Sequence, residues 1–297
     1  NSDGHKGAPG ACYPGASEFG AYSGLTCFLA DGLSRGDIFG AMRRRHHYGT
    51  TGCRLHLEVT AHLGVGGGVY EVDPRVAPGD PVPSETAIMG DIVRLEGDSL
   101  ALSVRIEAQS PIERVDILNG AKTVQTLCPY TPDPQGRLRI IWQGAEYRGR
   151  GRTTHWKGSL RFDQARITRM EKINAWNLDR PFAVTDPQTV EFDAVTTGNF
   201  GGCDIWLDGQ GGSVSVETGL VSGAFPLTDI TDQETVLDAG GLDRKLRLYR
   251  LPETMTATSL SETLTIPLTP GRDNPIWVRV TTEDGFVAWS SPIYVTC

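Results

Sequence analysis

The sequence predicts a mainly β protein containing an antiparallel β-sandwich region, made of one sandwich or two. Beyond residue 52, apolar and polar residues alternate, as in the run 55–59, and a period of two residues is typical of a half-buried strand. Asn119-Gly120 stands between two strand-like segments and favours a hairpin. The 36 glycines and 18 prolines among 297 residues supply the many turns that such a fold needs.

One helix is predicted, from about Arg35 to His46. Ser34 is expected to cap its first turn, and Asp37, three residues later, to complete a capping box. The basic run at its end, residues 43–47, favours the negative end of the helix dipole. A phosphate- or nucleic-acid-binding role is the alternative, but such charges are favourable there without any ligand.

The segments beyond the helix are predicted to be strands, because none of them has the length and period of a three-turn helix. Residues 113–118 and 121–127 are expected to pair around the Asn-Gly turn. Gly and Pro dominate residues 64–83, which are therefore predicted to be a long loop. The predicted strands are 55–59, 100–106, 113–118, 121–127, 138–142, 190–194, 204–207, 246–249, 264–268, 276–280 and 287–295.

The net charge, the cysteine spacing and the hydropathy of the chain each exclude some classes of protein. A net charge of −8 and a sequence pI near 5.3 give no electrostatic reason to expect nucleic acid or an anionic membrane as partner. The six cysteines contain no Cys-x-x-Cys pair, so free thiols are expected. No apolar run of membrane-spanning length occurs, and we expect a cytoplasmic protein. Export stays open, because a signal segment could precede Asn1.

Asp3 and His5 form the clearest candidate for a metal site. In an extended segment both side chains would point to the same side, with Gly4 on the other. A carboxylate oxygen and an imidazole nitrogen suit zinc, manganese or iron. A catalytic site needs at least three protein ligands, so two donors predict only part of a site. Solvated terminal residues are the alternative interpretation of the pair.

Four segments resemble the C-terminal end of an uncharacterised bacterial family related to the PHP (polymerase and histidinol phosphatase) metal-dependent hydrolases. They are SDGHKGAPG at 2–10, FGAYSGLTCFLADGLSR at 19–35, IFGAMRRRHHYGTTG at 38–52 and SSPIYV at 290–295. The resemblance implies that Asp3 and His5 are metal ligands at the end of a late barrel strand. It also implies an early His-x-His among the other ligands, and this sequence contains no His-x-His.

The resemblance implies a division of the chain into an incomplete barrel end and β-rich parts. Residues 1–52 would be the last strand and helix of a PHP-like α/β barrel, whose remaining segment lies upstream. Residues 53–180 are expected to form a β-sandwich. Residues 181–297 are expected to form a second β-rich lobe or to continue the sandwich.

A second candidate site is the arginine-rich segment Arg148, Arg150 and Arg152, followed by Trp156. If extended, it places the three arginines on one face, where arginine and aromatic side chains can bind an anionic ligand. The alternative is structural, since arginines in an acidic β protein also stack on tryptophan and pair with carboxylates of neighbouring strands.

The sequence thus leads to two hypotheses of function. In the first, the chain is the C-terminal portion of a metal-dependent hydrolase, phosphoesterase-like, that uses a metal-activated water on a small phosphorylated or ester substrate. The 297 residues alone would then lack a complete active site. In the second, the chain is a non-catalytic β-sandwich module that binds a ligand or joins copies of the protein through exposed strand edges.

Overall fold

The computed structural model describes residues 24–149, 152–175 and 178–296. The described chain is mainly β, with one α-helix, α1 (Arg35–Arg43). In chain order the strands are β1 Leu25–Phe28, β2 His47–Thr50, β3 His56–His62, β4 Gly68–Tyr70, β5 Val82–Pro83, β6 Thr86–Ile88, β7 Ile92–Arg94, β8 Ser99–Glu107, β9 Ile112–Asn119, β10 Lys122–Leu127, β11 Arg137–Ala145, β12 Thr154–Phe162, β13 Ile167–Ile173, β14 Phe182–Asp186, β15 Thr189–Thr196, β16 Phe200–Leu207, β17 Ser213–Thr218, β18 Ser222–Pro226, β19 Thr235–Asp238, β20 Leu242–Leu251, β21 Ser259–Pro267, β22 Asn274–Thr282, β23 Val287–Ser290 and β24 Ile293–Thr296. A short 3₁₀ turn follows β18 at Leu227–Asp229.

The first of two compact units consists, within the described residues, of 24–129 and 256–296. It contains a ten-stranded sheet of β1, β2, β4, β5, β7, β9, β10 and β22–β24, and a four-stranded sheet in the order β21-β8-β3-β6. The pairing is antiparallel except where β24 lies parallel to β7. Both sheets contribute to one hydrophobic core, with Leu57 and Leu102 from the smaller sheet and Ile117 and Val278 from the larger. This shared core makes the unit a two-layer structure.

The second unit lies within 130–255 and is therefore inserted into the first between β10 and β21. Its two five-stranded sheets have the orders β13-β16-β11-β20-β19 and β14-β15-β12-β17-β18. Trp142 and Leu248 of the first sheet share a core with Leu160 and Phe192 of the second. This unit is also a two-layer antiparallel structure, with its own core.

The predicted helix is confirmed, together with its capping box. Ser34 Oγ accepts a hydrogen bond from the Asp37 amide (3.2 Å), and Asp37 Oδ2 accepts one from the Ser34 amide (3.2 Å). The helix ends at Arg43, and Arg45 follows with a φ of 61°, a left-handed conformation that stops the helix. Two apolar side chains of α1, Phe39 and Met42, are exposed.

The predicted hairpin of β9 and β10 is present, but its turn lies one residue further on: Asn119 pairs with Lys122, so Gly120 and Ala121 are the two turn residues. Gly120 has a φ of 59°, the conformation that this turn requires and that glycine adopts without strain. The predicted loop at 64–83 contains two short strands, β4 and β5, which pair with each other. Pro83 ends the segment at a sheet edge, where its lack of a backbone N–H costs least.

The division of the described chain differs from the boundaries expected at residues 52 and 180. Contiguous segments were expected, whereas one unit is built from segments on both sides of the other. The described part of 1–52 contributes β1, α1 and β2, and no barrel segment is seen in it, because β1 and β2 pair antiparallel at one edge of the ten-stranded sheet. Within the described residues, no helix combines the length and apolar character needed to cross a membrane.

Candidate functional site

The two predicted metal ligands, Asp3 and His5, lie outside the described residues. The described segment nearest to them in the chain is β1, whose Cys27 stands opposite Tyr48 of β2. Tyr48 in turn stands opposite Ser290 of β23. Segments from the two ends of the chain, all of them part of the PHP resemblance, thus lie side by side in one sheet.

Hydrogen bonds at this junction reinforce the strand pairing. The Ser291 amide and Oγ both donate to the His47 carbonyl oxygen, at 3.2 and 2.7 Å. His47 also contacts the ring of Phe28 edge-on, with 5.6 Å between centroids. Burial, together with the neighbouring His46 and Arg45, lowers the pKa of His47 below its ordinary value. A neutral imidazole is therefore favoured at neutral pH.

The basic run after α1 contributes to the fold through its last residues. His46 is buried and its Nε2 lies 2.7 Å from Asp91 Oδ1, while Arg45 Nε donates to the Gly90 carbonyl at 2.8 Å. His46 and His47 therefore have separate partners, as expected for adjacent residues that point apart. Arg43 and Arg44 are exposed.

The predicted ligand patch at Arg148, Arg150, Arg152 and Trp156 is wrong in its aromatic member. Trp156 is 0% exposed, because the period of β12 places it in the core of the second unit. Its Nε1 donates to Thr196 Oγ1 at 2.9 Å, so even its polar edge is used within the fold.

The arginines of the same patch are only partly described. Arg148 and Arg152 are exposed, and Arg150 lies outside the described residues. Trp142, the other tryptophan of this neighbourhood, is buried and stacked on Phe192 at 4.5 Å. Neither Trp142 nor Trp156 is therefore available to stack on a ligand. A role for the exposed arginines alone stays a prediction.

Arginines that stack on tryptophan and pair with a carboxylate do occur, but at other positions. Arg139 is buried and makes two 2.7 Å hydrogen bonds to the carboxylate of Asp204. Arg137 Nε lies 3.0 Å from the same carboxylate. The Arg137 guanidinium also lies over the Trp206 ring, 5.3 Å from its centroid, and Arg169 lies over that ring at 4.3 Å. These contacts span β11, β13 and β16 and hold the sheet together.

A third buried arginine, Arg250, has backbone partners. Its nitrogens donate to the carbonyl oxygens of Gly136 (2.7 Å), Leu227 (2.9 Å) and Ile230 (3.1 Å). Burial lowers its pKa, partly offset by the charge of Asp133. Arg250 thus holds the 3₁₀ turn and the start of β11 in place, which is a structural role.

The outer face of the ten-stranded sheet carries a group of polar and aromatic side chains that the sequence analysis did not single out. Asp116, on β9, has a fully buried side chain although it lies on the face away from the core. Arg114 Nη2 and Arg279 Nη2 each donate to its carboxylate at 2.8 Å, and Thr126 Oγ1 donates at 2.7 Å. Trp289 lies beside this cluster, opposite Arg279 across the β22–β23 pair.

The alternation of apolar and polar residues in the sequence predicts part of this surface group. In β22 the buried Ile276, Val278 and Val280 alternate with Trp277 and Arg279, so a tryptophan and an arginine are predicted on the solvent side. Only the register between distant strands brings Asp116 and Trp289 beside them, and that register is not readable from a single segment.

The four cysteines among the described residues, Cys27, Cys53, Cys128 and Cys203, are thiols. Cys203 is buried in the second unit, and burial, more than the neighbouring Asp204, raises the pKa of its thiol. Cys53 is half-buried, and burial raises its thiol pKa as well. Cys12 and Cys297 lie outside the described residues. Among residues 24–149, 152–175 and 178–296, no three His, Cys, Asp or Glu side chains are grouped so as to hold a metal ion.

Fold and surface together define a β-rich protein of two two-layer units, one inserted into the other, with an aromatic and arginine-bearing sheet face on the first. Residues 9–120 match the model of a family described as "Protein of unknown function (DUF3604)". The match covers less than half of the chain and brings no activity with it. Comparison with curated proteins and with solved structures gave no match.

Proposed function

We propose that this chain is the C-terminal portion of a PHP-like metal-dependent hydrolase, phosphoesterase-like in its chemistry. Asp3 and His5 supply two ligands to a divalent transition metal, and the other ligands come from an upstream barrel segment. The support is the resemblance of residues 2–10, 19–35, 38–52 and 290–295 to that family. The family model that matches residues 9–120 has no known function, so the proposal rests on the resemblance itself.

The observation that carries the proposal is the meeting of these segments in the fold. His47 and Ser291 are separated by 244 positions yet share a hydrogen bond, and Tyr48 is paired with Ser290. A resemblance spread over both ends of a chain is better supported when the two ends form one structural element.

The donor set of Asp3 and His5 fits the proposed metal. An ionised carboxylate and a neutral imidazole are ligands of zinc, manganese and iron. Such a metal lowers the pKa of a bound water and neutralises charge on the oxygens of a phosphoester. The role of this chain's residues is to hold their share of the coordination sphere. The two-layer units, which we take to be β-sandwiches, would accompany the barrel rather than supply its chemistry.

Metal analysis of the protein that includes the upstream barrel tests this assignment. We expect Asp3→Ala and His5→Ala each to lower the bound zinc, manganese or iron measured by plasma mass spectrometry. We also expect hydrolysis of p-nitrophenyl phosphate to fall by at least about 100-fold, since loss even of an outer partner of a metal ligand costs 10–100-fold.

His56→Ala and Glu58→Ala are matched controls. These residues form another His and carboxylate pair two positions apart, 3.0 Å from each other on β3 and about half exposed. Metal content and turnover should be unchanged in them. Unchanged metal and activity in both the Asp3 and His5 variants would reject the assignment.

A second candidate function is a non-catalytic module that binds a ligand or a second copy of the chain. The observation that favours ligand binding is the outer face of the ten-stranded sheet, which carries Trp277, Arg279 and Trp289. Light scattering after size exclusion separates the two versions, because only a module that joins copies gives a mass above that of one chain.

A further inference from the structure

Three aromatic side chains lie together on the outer face of the ten-stranded sheet. In β22, Trp277 lies between the inward-facing Ile276 and Val278 and so points away from the core. Trp289 of β23 is opposite Arg279, and Tyr294 of β24 is opposite Pro275. The residues opposite each other in an antiparallel pair share a face, so these rings lie on one side. We call Trp277, Trp289 and Tyr294 the aromatic face.

The strand geometry sets the dimensions of the aromatic face. β23 and β24 pair with successive parts of β22 on the same side, while β9 pairs with its other side. The positions opposite Tyr294 and Trp289 are four residues apart in β22, which is about 14 Å along the strand. Trp277 stands midway between them, about one strand spacing away. The rings form a strip the length of a short oligosaccharide.

The aromatic face is partly exposed to solvent, and one of its rings is fixed by a hydrogen bond to the backbone. Trp289 is 39% exposed and Tyr294 is 36% exposed, whereas Trp277 is half-buried. Trp277 Nε1 donates to the Gly120 carbonyl at 2.8 Å, which fixes the indole against the β9–β10 turn. A ring fixed in this way loses little conformational entropy when a ligand stacks on it.

Arg279 adds a fixed polar group at the edge of the same strip. Its Nε and Nη2 donate to Asp116 Oδ2 at 3.1 and 2.8 Å. The bonds hold the guanidinium beside Trp289, and the single negative charge of the ionised Asp116 is shared between Arg114 and Arg279. The pKa of Asp116 lies below its ordinary value, since the Arg114, Thr126 and Arg279 bonds outweigh the burial that would raise it. Nη1 has no protein partner within the described residues and is left to donate to a ligand.

We propose that the aromatic face binds a neutral oligosaccharide in an extended conformation. Sugar rings present apolar C–H faces that stack on aromatic rings, and hydroxyl edges that accept hydrogen bonds from a group such as Arg279. A strip of three rings about 14 Å long matches an extended chain of sugars rather than a single one. This site does not depend on Asp3 or His5.

The area and charge of the aromatic face argue against other occupants. A stable protein interface needs about 800 Å² from each partner, whereas a fully buried aromatic side chain contributes only 150–250 Å². Three partly exposed rings fall well short of that area. Nucleic acid is disfavoured because the whole chain has a net charge of −8, and the group of Arg114, Arg279 and Asp116 carries only one excess positive charge.

Isothermal titration of the chain with cellohexaose and with xylohexaose tests the proposal. We expect at least one of these hexasaccharides to bind, and Trp289→Ala to raise its Kd about tenfold, the equivalent of one aromatic stacking contact. Tyr294→Ala should raise it several-fold. Tyr147→Ala is the matched control, because Tyr147 is 49% exposed and belongs to the second unit rather than to the aromatic face.

The aromatic residues to be replaced are exposed, so the variants are expected to fold, and circular dichroism checks this. The proposal is overturned if neither hexasaccharide binds the wild-type chain. It is also overturned if binding persists unchanged in both Trp289→Ala and Tyr294→Ala, or if Tyr147→Ala weakens it equally. A mass that falls from two chains to one in Trp289→Ala would assign the face to a second copy instead.

Discussion

At the scale of single residues, the charged groups that matter most to this fold are buried ones with several partners. Asp204 accepts from Arg139 and lies within 3.0 Å of Arg137, and Asp116 accepts from Arg114, Arg279 and Thr126. Removing Asp204 leaves Arg137 and Arg139 buried without a counter-charge, which costs more than the group itself contributes. Removing Asp116 leaves the partly exposed Arg114 and Arg279 without their shared acceptor. We therefore expect the stability of the first unit to depend on Asp116 and that of the second unit to depend on Asp204.

Asp116 predicts a specific pH dependence of stability. Its folded pKa is depressed by its arginine and threonine partners, so its contribution is complete above the unfolded pKa, near 3.9. It is lost as the pH falls through the folded pKa. We expect Asp116→Asn to lower the free energy of unfolding by about 1.5–3 kcal/mol at pH 7, the range for hydrogen bonds to charged groups.

Urea unfolding of wild type and Asp116→Asn between pH 7 and pH 2.5 measures this effect. The difference in unfolding free energy between the two should shrink as the pH falls below about 4. Glu262→Gln, an exposed carboxylate on β21, is the control and should show no such convergence. A difference that stays constant over the whole range would refute the assigned role.

At the scale of secondary structure, the elements with local signals were predictable. The Ser34 and Asp37 box and the β9–β10 hairpin are determined by residues a few positions apart, and both are found in the structure, the hairpin with its turn one residue later than predicted. β12 carried an equally clear alternation, with Trp156, Leu160 and Phe162 facing inward. It was missed because its tryptophan was grouped with the arginines before it. The period-two pattern of β12 predicts that Trp156 is buried. This pattern is stronger evidence than the closeness of Trp156 to the arginines in sequence, which suggested a binding patch.

The capping box of α1 gives a prediction at this scale. Ser34→Ala removes the acceptor for the Asp37 amide, a loss of about 1 kcal/mol. Amide hydrogen exchange across α1, measured by mass spectrometry, should then be about fivefold faster. Ser34→Asp keeps an acceptor at the cap and should exchange nearly as slowly as wild type. Equal exchange rates in the Ala and Asp variants would show that the box does not stabilise the helix.

At the scale of the whole molecule, the insertion of one unit into the other was not predictable from the sequence. Alternation identifies strands but does not say which strands pair, and the partners here are distant, such as β8 with β21 and β9 with β22. The same limit hid the aromatic face, whose members come from three strands. The Asp3 and His5 assignment rests on resemblance and lies outside the described residues, so it stays a prediction.

Two separate cores predict two unfolding transitions. Asp204→Asn leaves Arg137 and Arg139 buried without a carboxylate, which should destabilise the inserted unit by about 3–5 kcal/mol. In calorimetry the transition of this unit should move down by roughly 10 °C or more, while that of the first unit moves little. The exposed Glu217 of β17 provides the control variant Glu217→Gln. A single transition that moves as a whole in Asp204→Asn would show that the cores unfold together.

The central claim is that Asp3 and His5 complete a metal centre begun by an upstream barrel. Anomalous diffraction at the zinc, manganese or iron edge, from crystals of the protein that includes this barrel, tests it most directly. We predict an anomalous peak about 2.0–2.2 Å from an Asp3 carboxylate oxygen and from a His5 ring nitrogen. A metal centre whose ligands include neither residue would contradict the claim.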